Sequence, residues 1–138
     1  MRQLRYLGGR TNTSAALNLL RRVVFQRSAG DRRSAPNMAV LVANGESTLL
    51  RHRVYIEAAA CREVGIDLVV VAADESLKNS VELKSIVSRP KDRNYFTTTA
   101  LSVLPNITQT VIPAMLFCPG SEHSLQQYSF IITPNVAS

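Results

Sequence analysis

Three polar stretches of this 138-residue sequence hold the residue types that chemistry could use. Asn44-Gly45-Glu46 follows a continuous apolar run, Met38-Ala39-Val40-Leu41-Val42-Ala43. Asp74-Glu75-Ser76 closes a second run, Ile66 to Ala73. Gly8-Gly9-Arg10-Thr11-Asn12-Thr13-Ser14 is a turn leading into a helical pattern. Apolar runs bounded by turn residues suit strands buried on both faces, as in a parallel sheet. Ligands of open α/β sheets bind beyond the carboxyl ends of such strands. Amide, hydroxyl and carboxylate oxygens are therefore expected together where a ligand would sit.

Other chemistries find less support. A nucleophile needs a neighbouring base, and neither Cys61, Cys118 nor Ser124 beside His123 lies in a recognisable nucleophile turn. His52 and His123 are far apart and lack zinc-ligand spacing. Gly8-Gly9 before a helix could cradle phosphate, which keeps a nucleotide-binding α/β enzyme fragment as an alternative, although no Gly-x-x-x-x-Gly-Lys or Gly-x-Gly-x-x-Gly pattern is present. The formal net charge is +6 and the pI about 9.9, with arginines concentrated at Arg21-Arg22, Arg27, Arg32-Arg33, Arg51 and Arg53. A basic nucleic-acid-binding fragment is a further alternative. No aromatics interleave with these arginines, so solvated helix ends account for them as well, and no nucleic-acid partner is expected.

The hydrophobic fraction is 46%, and no apolar run approaches the roughly 18 residues of a membrane span. Met1 to Gly9 has no apolar h-region, so no signal peptide is read there. Two cysteines are too few for a disulfide framework. Cys61 falls on an apolar helical face and is expected as a buried free thiol, whereas the partner of Cys118 is open. Asn12-Thr13-Ser14 and Asn106-Ile107-Thr108 are glycosylation sequons that matter only in a secreted chain.

The elements that must position these residues follow in order. A helix capped by Asn12, Thr13 or Ser14 carries Ala16, Leu17, Leu20, Val23 and Val24 on one face and ends near Gln26. Arg27 to Pro36 reads as a mobile basic loop. After the strand at Asn37, a second helix spans Leu50 to Val64, with Val54, Ile56, Ala59, Ala60, Cys61 and Val64 as its apolar surface and Gly65 as its C-terminal cap. A third helix runs from Lys78 to Ser88, with Val81, Leu83, Ile86 and Val87 inward, and Pro90 stops it. A short strand covers Asn94 to Thr97. Thr99 to Ile112 has helical spacing interrupted by Pro105, at a cost of about 3 kcal/mol for an interior proline. The tail from Ala114 holds a β-like run, Tyr128 to Thr133, with no evident core partner. This alternation predicts a doubly wound, mostly parallel α/β sheet. Three strands are fewer than the usual four to six, and the Asn37 strand is too apolar for an edge.

Several of these segments resemble von Willebrand factor A domains. Tyr6-Leu7-Gly8-Gly9-Arg10-Thr11-Asn12-Thr13 with Ala15-Ala16-Leu17 resembles the family's second metal-site segment. Val40-Leu41-Val42-Ala43-Asn44-Gly45 is similar to its fourth strand, which is usually followed by Thr-Asp-Gly. Ala58 to Ile66 and Glu82 to Pro90 resemble its following helix with strand start and its penultimate helix. The likeness covers residues 3 to 112 in the family's order, and Gly30-Asp31-Arg32-Arg33 is closest in flavour to collagen VI A domains. The resemblance implies a Rossmann-like fold lacking its first strands, with residues 1–112 as a partial domain and 113–138 as a poorly ordered or β-like tail. It implies a non-enzymatic, secreted adhesion module of the extracellular matrix that binds matrix proteins such as collagens through its strand-end loops.

The family's metal site also carries over only in part. Thr11 matches its threonine and Asn44 stands at its aspartate, while the Asp-x-Ser-x-Ser loop has no counterpart. One hydroxyl and one neutral amide are a poor return for dehydrating Mg²⁺, so the site at Thr11 and Asn44 is expected to be degenerate and no cofactor is expected. The missing first strand would leave one flank of the Asn37 strand bare. That predicts a partly molten chain, or self-association through an exposed sheet edge, or folding only with a complementing partner, unless Tyr128 to Thr133 covers the gap.

Overall fold

The computed structural model describes residues 10–32 and 34–98, together with the backbone of residues 128–133. Helix α1 (Thr13–Leu19) runs on into a wider π turn at Leu20–Val24. A 3-10 turn at Arg27–Ala29 ends on Gly30, whose φ of 100° is a left-handed conformation open to glycine at no steric cost. Strand β1 (Asn37–Ala43), helix α2 (Arg51–Glu63) and strand β2 (Ile66–Ala72) follow. A 3-10 segment at Glu75–Asn79 precedes the short helices α3 (Val81–Ile86) and α4 (Lys91–Asn94) and the strands β3 (Tyr95–Thr97) and β4 (Tyr128–Thr133).

The four strands form one parallel sheet in the order β3-β2-β1-β4. β1 and β2 are central, paired from Asn37 with Ile66 to Ala43 with Ala72, which is why their sequences are nearly unbroken in apolar residues. One face of the sheet, through Ala39, Leu41, Ala43, Leu68, Val70 and Ala72, packs with α1, α2 and α3 in the larger core. Val40, Val42, Val69 and Val71 on the opposite face are also buried, with Met38 and Phe96 against them.

β4 corrects the expectation of a bare flank. Its pairing with β1 runs from Met38 with Tyr128 to Ala43 with Thr133, so the hydrogen-bonding groups on that side of β1 face a strand. The β-like run of the tail thus has its partner in the sheet. The helical spacing at Thr99 to Ile112 lies outside the described residues.

The inward faces are narrower than the apolar spacing suggests. On α2 the buried side chains are Val54, Ala58 and Cys61, an i, i+4, i+7 stripe, while Ile56 is 63% exposed and Val64 is also exposed. On α1 Leu17 and, one turn on, Leu20 are buried, and Val23 points out. The single third helix expected from Lys78 is split, because Ser80 caps α3 by accepting from Leu83 N–H at 3.1 Å. That places Val81 on the first turn, 73% exposed, with Leu83 and Ile86 inward. Arg62 of α2 closes the far end of α3, donating from Nη1 to the carbonyls of Ser85 and Ile86 at 3.2 and 2.6 Å. Those are carbonyls a helix end leaves without an intrahelical partner.

Cys61 is the buried free thiol expected. It donates to the Leu17 carbonyl at 3.4 Å and joins α2 to α1. Burial pushes its pKa up from 9.0 to about 11, with Arg21 and Arg62 opposing the rise and Glu57 adding to it. Only the thiolate is nucleophilic.

Two outcomes follow for the folded chain. Peptide mapping after alkylation at pH 8 will find Cys61 unmodified in the native protein and modified in denaturant. The folded pKa is the higher one, so the thiol's contribution to stability is complete below pH 9 and fades as pH rises through about 11. In addition, a chain cut after residue 112 loses β4 and unpairs β1; light scattering will show it self-associating where the full chain is monomeric.

Candidate functional site

Of the polar stretches singled out in the sequence, the described part of the turn before α1, Arg10 to Ser14, meets the loop that follows β1, while Asp74 to Ser76 follows β2. Asn12 caps α1, its Oδ1 accepting from Ala15 N–H at 3.0 Å and from the Ser14 hydroxyl at 2.9 Å. This fixes the turn before α1, and with it Thr11. The Thr11 carbonyl accepts from Thr48 N–H and Leu49 N–H, both at 3.0 Å, and from the Thr48 hydroxyl at 3.2 Å. Arg10 adds a bond from Nη2 to the Thr48 carbonyl at 3.1 Å. The turn before α1 and the loop after β1 are therefore laced together through main-chain groups.

Ser47 is the buried centre of that lacing. Its hydroxyl lies 2.7 Å from the Leu49 carbonyl and 3.3 Å from that of Thr11. With one proton to donate, the shorter bond to Leu49 takes it. The same oxygen accepts from Thr13 N–H at 3.3 Å. Ser47 N–H donates to Glu82 Oε1 at 2.6 Å. Glu82, on the first turn of α3, is only 2% exposed, and its other oxygen accepts from Arg51 Nε at 3.2 Å. Arg51, 59% exposed at the start of α2, also pairs with Glu46. Glu46 accepts in turn from the Ser80 hydroxyl at 2.5 Å. Two carboxylates thus share one guanidinium, which ties the β1 loop, α2 and α3 together, while α1 joins through the bond from Thr13 N–H to Ser47.

The expected metal-site pair is brought to this rim but not joined. Thr11 is buried and its Oγ1 has no hydrogen-bond partner, so it makes no bond to Asn44. Asn44 is half-buried, directly after β1. An orphaned hydroxyl is what a cation ligand would leave behind, but Asn44 can add only a neutral amide, and the carboxylates of Glu46 and Glu82 are held by Arg51, Ser47 and Ser80. Among the described residues, no group of three His, Cys, Asp or Glu could hold a metal ion. Asp74 has a local role: its Oδ1 accepts from Ser76 N–H at 2.7 Å, and hydrogen bonding from Ser76 holds its pKa below the usual carboxylate value. His123, Cys118 and Ser124 lie outside the described residues.

The bond between Ser47 and Glu82, and the burial of both, went unread in the sequence. Their bond spans 35 residues, and a loop serine gives no local sign of burial. Glu82 follows the cap Ser80, where an acid is expected simply to complement the helix dipole.

A cavity of about 260 Å³ lies away from this rim, at the amino ends of the strands. Arg21, Arg22, Phe25, Asp31, Asn37 and Ile66 line it. Arg21 is already engaged there, pairing with Glu57 of α2 at 3.1 Å.

The von Willebrand factor type A domain family matches residues 1–110. The collagen alpha-1(XII) chain of Notophthalmus viridescens is 31% identical over 104 residues, 75% of this chain and 11% of the relative. That of Oryctolagus cuniculus is 31% identical over 93 residues, 67% of this chain and 14% of the relative. The chain therefore spans only a small part of these relatives' length. Among solved structures, proximal thread matrix protein 1 from the mussel byssus superposes with a TM-score of 0.67 at 20% identity, covering 83% of this chain and 28% of that one. At that identity the likeness shows the fold alone. The collagen-like flavour read from the sequence is found, in type XII chains, and these matches support a protein-interaction module of the extracellular-matrix kind. With a parallel α/β sheet, a threonine turn laced to the loop after a central strand, and a family match over most of its length, this chain belongs to the von Willebrand factor type A domain family.

Proposed function

We propose that the chain is a matrix-protein-binding module, with collagens among its partners, which engages ligand through the strand-end rim and without a divalent cation. The observation that carries this reading is the Thr11–Ser47–Glu82–Arg51 network. It holds the loops of the rim in one arrangement before any ligand arrives, and preorganisation lowers the cost of binding. The partner surface is formed by the loops Arg10 to Thr13, Asn44 to Ser47 and Asp74 to Ser76, through Arg10, Asn12, Asn44 to Glu46 and Asp74 to Ser76, with the buried Thr11, Thr13 and Ser47 holding them from beneath. The extracellular-matrix relatives support the choice of partner and a secreted location.

The charge balance at the rim argues against a metal. Mg²⁺ demands near-octahedral oxygen ligands and gives up its water reluctantly. Thr11 offers one hydroxyl and Asn44 one neutral amide. Arg51 places a positive charge beside the two carboxylates that could have added anionic ligands. No catalytic role is assigned to the rim; its side chains are committed to holding loops.

Calorimetric titration with Mg²⁺ is expected to give no saturable heat in the millimolar range, for both the native chain and Thr11→Ala. Sub-millimolar binding that Thr11→Ala removes would overturn the metal-free reading. Binding to immobilised fibrillar collagen is expected to persist in EDTA and to weaken about tenfold, or 1.4 kcal/mol, in a Glu75→Arg variant with an unchanged melting temperature. The network itself is checked by denaturant titration. Glu82→Ala strands the Ser47 N–H and costs about 1–3 kcal/mol, whereas Glu82→Gln keeps an acceptor for that N–H and costs less.

A further inference from the structure

The Asn12-Thr13-Ser14 sequon lies on the rim, and the cap at α1 divides its amide into two ends with different tasks. Oδ1 is committed, accepting from Ala15 N–H and the Ser14 hydroxyl. Asn12 is half-buried, and among the described residues the cap uses only Oδ1, with no hydrogen bond found at Nδ2. Backbone N–H donors can be met only by an oxygen, so the cap fixes which end points out.

We propose that Asn12 carries an N-linked glycan. The residue at position +2 of the sequon is the required hydroxyl, Ser14. The acquired bond joins Asn12 Nδ2 to C1 of the reducing-end sugar of a lipid-linked oligosaccharyl diphosphate. The C1–O bond to phosphate breaks, the lipid diphosphate leaves with that electron pair, and one amide proton is lost to a base of the transferase. The product is still an amide with its Oδ1 intact. Both cap hydrogen bonds survive, so the folded chain accommodates the sugar where a modification of Oδ1 would unfasten α1. Relatives that are collagen chains support passage through the compartment that holds the donor.

Asn12 is the residue next to Thr11, whose carbonyl holds the loop after β1. A glycan there stands at the edge of the rim and narrows the approach to Arg10 and Thr48. This consequence rests on the reading of the rim as a partner surface; the modification does not.

The test is cell-free translation of the full chain behind a cleavable secretion leader, with microsomal membranes. Asn106→Gln removes the other sequon. That variant is expected to show one upward mobility step, reversed by peptide-N-glycosidase, and lost when Asn12→Gln or Ser14→Ala is added. Ser14→Ala keeps Asn12 and its bond to Ala15, so its loss of the step reports the sequon and not the cap. Mass spectrometry of the digested product will find aspartate at position 12. An unshifted Asn106→Gln variant, in membranes that glycosylate a control protein, overturns the proposal whether or not the chain binds collagen.

Discussion

The loop after β1 has to turn without leaving its main-chain groups dry, and the Thr11 carbonyl is what permits it. Residues 47–49 pass under the turn before α1, where water is largely excluded from Ser47. A buried donor left without a partner costs about 1–3 kcal/mol, so each N–H there needs an assigned acceptor. Thr48 and Leu49 share the Thr11 oxygen, and Ser47 uses Glu82. Because Thr11 is fixed by the Asn12 cap and Glu82 by the first turn of α3, two helices set the position of a loop that belongs to neither. Buried polar networks of this kind specify one arrangement when every member is satisfied.

The same network underlies the metal-free binding proposed for the rim. A carboxylate at the rim has two uses: to ligate a cation or to accept from the protein. Glu82 and Glu46 are given to the second use, with Arg51 as the shared donor. Arg51 stays more than half in water, so its pairing contributes modestly to stability. The larger contribution comes from the short bond of Glu82 to a buried N–H. Thr11 keeps its hydroxyl orphaned, at a cost of about 1–3 kcal/mol that the rest of the rim must offset.

What could be read from the sequence divides along physical lines. β1 and β2 were legible because burial on both faces forces unbroken apolar runs, and their Asn44 and Asp74 ends were legible because turn residues must follow. Cys61 as a buried thiol was legible from local preference, and the cap of α1 to within Asn12, Thr13 or Ser14, of which Asn12 fills it. Helix faces were overread. Ile56, Val64 and Val81 are apolar yet exposed, since a short helix lying on a sheet buries a stripe only two or three side chains wide. The bonds from Ser47 to Glu82 and from β4 to β1 were beyond local pattern. They join residues far apart in sequence, and a polar side chain shows its burial only when its partner is known. The Tyr128 run looked unattached for the same reason.

The place of β4 has a bearing on how the chain is made. The sheet's centre, β1 with β2, can assemble once residue 72 is available, and β3 can join soon after. β4 pairs with a strand synthesised about 90 residues before it. Contacts of such separation form slowly, since a long loop must close first. During synthesis, β1 therefore offers a raw, strongly apolar margin for as long as it takes the ribosome to reach Thr133. Through that interval the flank of β1 that β4 will cover stays open, and unpaired strand edges are where incompletely folded chains associate with one another.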